Sequence, residues 1–418
     1  MPGSIVVYVL LVIAFLLAVP AISHTGLETW MSLTASVVAF VAMALNQFLA
    51  TRPRYFEGAF GGLDRMYATH RNLGKIAFAL ILVHYFIEPN FKGQILTSGL
   101  NDLAEQAGEI GFYALMVLIG VSLFKKTPFT KFEVPYHLWY QSHRLIGVAF
   151  IFIAFHQMFI KRPFDGNALL AGYLNIFAVI GILSFIYIQI APFLRRRAYT
   201  VTSVDQQGGA TLISAAPDSR PLKRSAGQFA VINFDKPGLK EPHPFTISGV
   251  GPEGELNFAI KALGDFTKRL QDQIAVGDKM AVQGGYGRFN FKPKYPRQLW
   301  LAGGIGITPF LAMAQDLPAD LQQDVCLLHC VRDVSEAING EMLKAKAAET
   351  AKFSYVVFAS DADGRLDAEK LKDRVPFELD GAAMMFCGPP PLRLAVVDGL
   401  KKMGKKFSAV KFELFEFR

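Results

Sequence analysis

About six apolar segments fill the first 195 residues of this 418-residue chain and place that part of it in a membrane. They cover roughly residues 5 to 23, 30 to 50, 70 to 88, 108 to 124, 143 to 160 and 168 to 193. Several are shorter than the ~20 residues that cross a bilayer alone, so we predict helices of one bundle. A composition of 52% hydrophobic and 19% charged residues agrees with this prediction.

The charges that flank these segments predict their orientation. With the N-terminus inside, most Lys and Arg lie on the inner side, including the run 195–197, whereas the outer loops hold Lys92, Lys161 and Arg162. The positive-inside rule then places the C-terminal half in the cytoplasm. A signal peptide is the alternative for the first segment, but no Lys or Arg precedes its apolar run.

The remaining composition excludes two classes of protein. The net charge of +8 comes without a basic patch interleaved with aromatic residues, so no nucleic-acid partner is expected. The three cysteines, Cys326, Cys330 and Cys387, all lie in the last quarter. They are too few for a disulfide framework, and that quarter is expected to face a reducing compartment.

The sequence pattern changes after Arg197. Short alternating runs such as YTVTSV, ATLISA and FAVINF predict antiparallel strands of a small barrel to about residue 292. From Gln298 the pattern becomes strand, glycine turn and helix, which is typical of a parallel α/β sheet. We therefore predict a multi-domain membrane protein: a six-helix transmembrane bundle at 1–195, an antiparallel β-barrel domain at 196–293 and an α/β nucleotide-binding domain at 294–418.

Four histidines stand in the apolar segments at matching spacings. His70 and His84 are fourteen residues apart and His143 and His156 thirteen apart, in two segments that both run from inside to outside. At 1.5 Å per residue, each pair spans about 20 Å of helix. Side by side, the helices would pair His70 with His143 near the inner face and His84 with His156 near the outer face. Since ionisable residues in a membrane are costly unless paired or liganded, each pair is predicted to hold one metal centre.

Two stacked b-type haems are the predicted occupants, because haem iron takes an imidazole on each axial side. Zinc is disfavoured, since only two ligands meet at each level. For any one histidine alone, a hydrogen-bonded structural role is the alternative, and His137 is a rival inner ligand. At about 100° per residue, thirteen residues leave His143 and His156 about 140° apart, so their helix should be bent or locally rewound.

The barrel region carries two stretches that together predict an FAD site. KEPHPFTISGV supplies a strand that can meet an isoalloxazine edge and a phosphate, and FAIKALGDFTKRL opens a helix whose backbone N–H groups can bind pyrophosphate. An ordinary strand and an ordinary helix cap are the alternatives for either stretch alone. The candidate FAD-binding residues are His243, Pro244, Phe245, Thr246, Ser248, Lys261, Gly264, Asp265, Phe266 and Thr267.

The stretch LAGGIGITPF predicts a dinucleotide site, because it follows a strand and opens a helix. Its glycines allow close backbone approach, and Pro309 falls where a missing N–H costs nothing. An arginine after the next strand suits a 2′-phosphate, so NADPH is favoured over NADH, with a solvated surface arginine as the alternative. The candidate NADPH-binding residues are Gly303, Gly304, Gly306, Thr308, Pro309, Arg332, Ser360, Arg365, Gly388 and Pro389.

Two further residues are candidates for a direct part in catalysis. Cys387 ends a strand in MMFCGPPPL, at the edge where nicotinamide would lie, and a buried core cysteine is the alternative. Phe415 in KFELFEFR could cover the flavin ring, with Phe417 as a rival and core packing as the alternative.

Taken together, the paired histidines, HPFTIS at 243–248, GDFT at 264–267, GGIGITP at 303–309 and CGPPPL at 387–392 resemble the NADPH oxidase and ferric reductase superfamily. The resemblance covers nearly the whole chain. The second half is similar to the ferredoxin-NADP reductase fold. The short length without calcium-binding loops resembles the compact bacterial NADPH oxidases most.

The resemblance implies a multi-pass protein of the bacterial inner membrane. NADPH would deliver a hydride to FAD, which would pass single electrons to the inner haem, the outer haem and then oxygen, giving superoxide. It also implies the assignment of 243–248 and 264–267 to FAD, of 303–309, Arg332 and 387–389 to NADPH, and of Phe415 to the flavin cover. Reduction of ferric chelates, or donation to a periplasmic partner enzyme, remain as alternatives, and no particular protein partner is implied.

Overall fold

The computed structural model describes residues 2–90, 97–123, 136–161 and 167–413, without the side chains of His24, Leu123, Tyr136 and His137. The chain divides into two compact units, Met1–Leu194 and Arg195–Glu416. The first is helical, and the second contains two β-sheets. The predicted fold class, an apolar helical region followed by an antiparallel sheet and a parallel α/β sheet, is confirmed.

Eight helices make up the first unit as far as it is described. They are α1 (Pro2–Ile22), α2 (Leu27–Ala50), α3 (Arg54–Phe60), α4 (Leu63–Phe86), α5 (Asn101–Leu123), α6 (Tyr136–Arg144), α7 (Ile146–Phe159) and α8 (Ala168–Arg195). Within the described residues, five stretches are long and apolar enough to cross a membrane: 2–22, 27–50, 101–122, 138–159 and 168–195.

Six apolar spans were expected, and helix α4 is the expected span that is missing from these five. It is 24 residues long, but its first two turns contain Asp64, Arg65, His70 and Arg71, which lower its mean hydropathy. The apolar run predicted at 70 to 88 therefore marks only part of this helix. Helix α2 packs along α4, and α5 packs along α7, more extensively than any other described pair of helices.

The segment that carries His143 and His156 is interrupted, as the thirteen-residue spacing predicts. Helix α6 ends at Arg144 and α7 begins at Ile146. Between them, the Leu145 N–H donates to the Ser142 carbonyl oxygen at 3.0 Å, a bond across three residues instead of four. Such a tightened turn rotates each residue about 20° further around the helix axis than an α-helix does. This reduces the angle of about 140° that an ideal helix would leave between the His143 and His156 side chains. The predicted irregularity is confirmed.

The second unit begins with a seven-stranded antiparallel sheet in the order β4-β3-β7-β1-β2-β6-β5. The strands are β1 (Arg197–Gln207), β2 (Ala210–Pro217), β3 (Phe229–Phe234), β4 (His243–Thr246), β5 (Gly249–Val250), β6 (Leu256–Lys261) and β7 (Lys279–Tyr286), with helix α9 (Asp265–Gln273) between β6 and β7. Alternating apolar side chains such as Tyr199, Val201 and Ile213 fill one core against α9.

A five-stranded parallel sheet follows in the order β10-β9-β8-β11-β12. Its strands are β8 (Arg297–Gly303), β9 (Asp324–Val331), β10 (Phe353–Ala359), β11 (Ala383–Cys387) and β12 (Ala409–Phe412), and its helices are α10 (Thr308–Gln315), α11 (Gly340–Glu349), α12 (Ser360–Asp363), α13 (Ala368–Arg374) and α14 (Pro390–Lys402). The chain leaves β8 toward β9 and β10, then returns to add β11 on the other side. The carboxyl ends of β8 and β11 thus form the point where strand order reverses, which is where such sheets bind ligands.

Candidate functional site

The structure brings together the inner histidines that the sequence pairs. The ring centroids of His70 on α4 and His143 on α6 lie 6.1 Å apart, with 63° between the ring planes. Two metal–nitrogen bonds of about 2 Å on opposite sides of one ion put imidazole centroids about 6 Å apart. His84 and His156 also lie near each other. The structure therefore brings together both pairs of histidines that the spacing predicts.

All four histidines use Nδ1 for a hydrogen bond inside the helical unit. The partners are the Asn46 carbonyl oxygen for His70 at 3.3 Å, Ser32 Oγ for His84 at 3.0 Å, Ser122 Oγ for His143 at 2.9 Å and the Ala104 carbonyl oxygen for His156 at 2.9 Å. Among the described residues, none hydrogen-bonds to the Nε2 atom of these four histidines. Metal-bound imidazoles are held in this way, with one nitrogen on a protein acceptor and the other on the metal. The four residues therefore fit axial ligation of two haems.

The number of metal-binding side chains near these histidines fits haem better than zinc. Among the residues that the structure describes, no group of three or more His, Cys, Asp or Glu side chains could hold a metal ion. A tetrahedral zinc site needs about four such ligands, whereas an axial haem pair needs two. Gly108 on α5 packs closely against the ring of His156, so that a Cβ at this position would lie 2.4 Å from His156 Nδ1.

In the second unit, the two glycine turns at the reversal point pack directly on each other. A Cβ at Gly306 would lie 2.2 Å from the Cys387 carbonyl oxygen, and one at Gly303 would lie 2.7 Å from Pro389 Cδ. Gly304 has φ +53° and Gly388 has φ +155°, conformations that suit glycine. Thr308 and Pro309 begin helix α10 just beyond the first turn. The two predicted nucleotide motifs are therefore in contact at the carboxyl ends of β8 and β11, the edge at which such sheets bind dinucleotides.

Cys387 is buried in the hydrophobic core, as the core-cysteine alternative expected, beside a carboxylate that the sequence patterns did not identify. Phe386 and Phe412 are register partners on β11 and β12, so the next residues, Cys387 and Glu413, are neighbours. Burial, with a smaller effect of Glu413, raises the pKa of Cys387 well above its ordinary value. The residue is therefore a neutral thiol at neutral pH and is not suited to act as a nucleophile. The sequence feature that could have identified Glu413 is the single acidic residue within the largely apolar run KFELF.

Arg332, Ser360 and Arg365 follow the carboxyl ends of β9 and β10, on the same edge of the sheet as the glycine turns. Arg332 has a side chain 77% exposed and donates to Glu336 Oε1 at 3.1 Å. Lys261 from β6 reaches Glu336 Oε2 at 3.2 Å. Partial burial opposes ionisation, but Lys261 and Arg332 lower the pKa of Glu336 below its usual range. Glu336 thus joins a predicted FAD residue to a predicted NADPH residue.

His329 is a second residue that the sequence patterns did not identify. It lies on β9 opposite Ala302 of β8, is fully buried, and its Nε2 lies 2.9 Å from the Gly304 carbonyl oxygen. A carbonyl oxygen can only accept, so Nε2 carries the proton. Burial lowers the pKa of His329 to about 4. The neutral His329 imidazole therefore donates a hydrogen bond to the backbone of the glycine turn at Gly304.

His329 should make stability depend on pH. Because its folded pKa is depressed from 6.5 to about 4, the unfolded chain binds the proton first, and stability is lost as pH falls from 6.5 toward 4. The loss should reach about 2 kcal/mol near pH 5. His329→Gln should lose this part of the pH dependence, measured as the difference between wild-type and variant thermal unfolding of the full chain at pH 7.5 and pH 5. The same loss in both proteins would contradict the prediction.

The FAD candidates gather where β4 meets the start of α9. The ring centroids of His243 and Phe266 lie 4.0 Å apart, and those of Phe245 and Phe266 lie 6.2 Å apart. Burial lowers the pKa of His243 despite the nearby Glu241 carboxylate, so this ring is neutral at neutral pH. Thr246 and Ser248 are buried, and Pro244 lies between them and His243 on the same segment.

Thr267 has a more specific role than the sequence indicated. Its Oγ1 accepts from the N–H groups of Leu263 and Gly264, each at 2.9 Å, and donates to the Gly264 carbonyl oxygen at 3.0 Å. The N–H groups of Asp265 and Phe266, which begin α9, remain for a phosphate. The Gly264–Thr267 turn therefore fits a pyrophosphate, with Thr267 shaping the turn itself. Phe415 and Phe417 lie outside the described residues, as does the side chain of His137.

Three known families match successive parts of the chain. Residues 35–154 match the family described as "Ferric reductase like transmembrane component". Residues 201–296 match "FAD-binding domain", and residues 300–398 match "Oxidoreductase NAD-binding domain". The matches define a membrane-associated NAD(P)H- and FAD-dependent oxidoreductase. In this order, they give the chain the domain architecture of the NADPH oxidase and ferric reductase superfamily.

The curated relatives each match about half of the chain. The toluate 1,2-dioxygenase electron transfer component of Pseudomonas putida is 26% identical over 45% of this chain and 58% of its own length. A Pseudomonas putida flavohemoprotein is 28% identical over 48% and 54%. The structure of flavohemoglobin from Malassezia yamatoensis is 19% identical, with a TM-score of 0.48 over 96% of this chain and 98% of its own. The chain spans a little over half of the length of the two curated relatives.

Proposed function

We propose that this chain is a transmembrane NADPH oxidase that moves electrons from NADPH on the cytoplasmic side to molecular oxygen outside, producing superoxide. It would lie in a bacterial inner membrane with its C-terminal half in the cytoplasm. The observation that carries the proposal is the 6.1 Å separation of the His70 and His143 rings inside an apolar helical unit. Such a pair fits the two axial sides of one haem.

Four histidines would hold two b-type haems. His70 and His143 would take the inner haem, and His84 and His156 the outer one. With NADPH, FAD and both haems bound, the cofactors would supply hydride acceptance and single-electron transfer across the bilayer. If His84 and His156 both hold the outer haem, they would leave no iron position for oxygen, and the haem would supply single electrons to oxygen rather than cleave the O–O bond.

The second unit would bind and orient the other two cofactors. His243 to Ser248 and Gly264 to Thr267 would hold FAD, while the adjoining glycine turns at Gly303 and Gly388 would bind the dinucleotide. Cys387, a neutral thiol shielded from water, would contact the nicotinamide without reacting with it. Arg332 would bind the 2′-phosphate, since its exposed guanidinium lies at the edge of the sheet used for ribose recognition.

Arg332→Ala should raise the KM for NADPH about tenfold and leave the KM for NADH nearly unchanged. A charge-assisted hydrogen bond to a phosphate contributes about 1.5 kcal/mol or more, and about 1.4 kcal/mol corresponds to tenfold. Steady-state kinetics with both dinucleotides measure the effect, with Arg220→Ala, an exposed arginine after β2, as the control. An equal rise in KM for NADPH and NADH would contradict a 2′-phosphate role.

Reduction of ferric chelates is the second candidate, favoured by the family match over residues 35–154. One experiment separates the two. NADPH and FAD are added to purified full-length protein, and cytochrome c reduction is followed with and without superoxide dismutase. Inhibition by the dismutase is expected if oxygen is the acceptor. Insensitivity would indicate direct transfer to the acceptor and contradict superoxide production.

A further inference from the structure

The two histidine pairs are held by two kinds of acceptor in a repeated pattern. In the inner pair, His143 contacts the Ser122 hydroxyl and His70 a carbonyl oxygen. In the outer pair, His84 contacts the Ser32 hydroxyl and His156 a carbonyl oxygen. Each pair thus has one imidazole on a serine. Each serine lies on a helix that packs against the helix of its histidine. Ser32 is on α2, which packs against α4, and Ser122 is on α5, which packs against α6.

The direction of both serine hydrogen bonds follows from a second contact of each hydroxyl. Ser32 Oγ also lies 3.1 Å from the His84 carbonyl oxygen, and Ser122 Oγ lies 2.7 Å from the Leu118 carbonyl oxygen. A carbonyl oxygen cannot donate, and a hydroxyl has a single proton. Only one arrangement makes both contacts of each serine hydrogen bonds: the hydroxyl donates to the carbonyl and accepts from the Nδ1–H of the histidine.

We propose that Ser32 and Ser122 are positioning residues, each fixing one axial imidazole of a different haem with the proton on Nδ1 and the lone pair of Nε2 toward iron. The inference rests on the proposed haem sites. Because a hydroxyl that donates to a carbonyl becomes a better acceptor, each serine also increases the electron donation of its imidazole to iron. Greater donation stabilises the ferric state, so each serine lowers the midpoint potential of one haem.

Ser32→Ala should therefore raise the midpoint of the haem that is lost in His84→Ala, and Ser122→Ala that of the haem lost in His143→Ala. Both variants are purified as full-length protein, their haem content is measured, and their haem absorbance is titrated potentiometrically without oxygen. Loss of one of the two haems in an alanine variant is the stronger form of the same result. Ser32→Thr and Ser122→Thr, which keep the hydroxyl, should titrate as wild type.

Ser36→Ala is the matched control on α2, since Ser36 Oγ donates to the Leu33 carbonyl oxygen at 2.8 Å and has no hydrogen bond to a histidine among the described residues. It should leave both midpoints in place. Wild-type midpoints and two haems in both alanine variants would overturn the inference, as would an equal shift of both haems in either. If an alanine variant aggregates, the cysteine variant at that position decides by the same criteria. Wild-type protein that binds no haem would instead defeat the proposed function itself.

Discussion

Purified His84→Ala and His156→Ala proteins should each retain about half of the haem found in the wild type. Each substitution removes one of the two imidazoles at the outer level while leaving His70 and His143, whose rings lie 6.1 Å apart, in place. A haem with a single axial ligand on a loosened helix pair should dissociate during purification. Haem per chain, from the pyridine haemochrome spectrum, is the measurement. Full retention in both variants would defeat the ligand assignment.

Two glycines on α5 provide a second test of this prediction and a matched control for it. A Cβ at Gly108 would lie 2.4 Å from His156 Nδ1, whereas one at Gly120 would meet nothing within 4 Å. Gly108→Ala should displace the His156 ring and lower haem content as His156→Ala does. Gly120→Ala should keep both haems, and alanine should stabilise the helix slightly. His137→Ala tests the rival inner ligand and should also keep both haems.

Gly306→Ala should slow the reduction of FAD by NADPH by about a hundredfold. Its Cβ would lie 2.2 Å from the Cys387 carbonyl oxygen and 2.6 Å from the Cys387 carbonyl carbon, and backbone atoms cannot rotate away as a side chain does. The ends of β8 and β11 must therefore separate. A displacement of about 1 Å at a reacting centre can cost a factor of about 100. Anaerobic stopped-flow absorbance of the flavin measures the rate.

Gly340→Ala is the control in the same sheet domain, since its Cβ would be 3.7 Å from Tyr355 Oη, an ordinary contact. It should reduce FAD at the wild-type rate. In Gly306→Ala, dithionite should still reduce the haems, because the first unit is unchanged. A wild-type rate of flavin reduction in Gly306→Ala would contradict the placement of the dinucleotide at these glycine turns.

The helical unit shows what spacing can and cannot predict. Thirteen residues between His143 and His156 do not fit an ideal helix, and the structure has the break at Leu145. Apolar runs alone gave α4 too short, because its first turns contain charged residues. The acceptors Ser32 and Ala104 lie 52 residues from their histidines, so no local pattern could identify them.

The second unit gives the same lesson through strand register. GGIGITP and CGPPPL could each be recognised alone, since glycine turns after strands have a local signature. That they face each other depends on β11 pairing with β8, which only the folded sheet decides. Glu413 becomes a neighbour of Cys387 through the β11–β12 register, and His329 supports Gly304 from the adjacent strand. The residue that covers the flavin stays a prediction.

The most direct test of the account is whether NADPH reduces the haems through this one chain. Purified full-length protein with added FAD receives NADPH in the absence of oxygen, and the flavin and haem absorbance are followed together. We predict reduction of two haems per chain in the wild type and of one in His84→Ala. Flavin reduction with the haems left oxidised, in protein whose haems dithionite does reduce, would contradict the account.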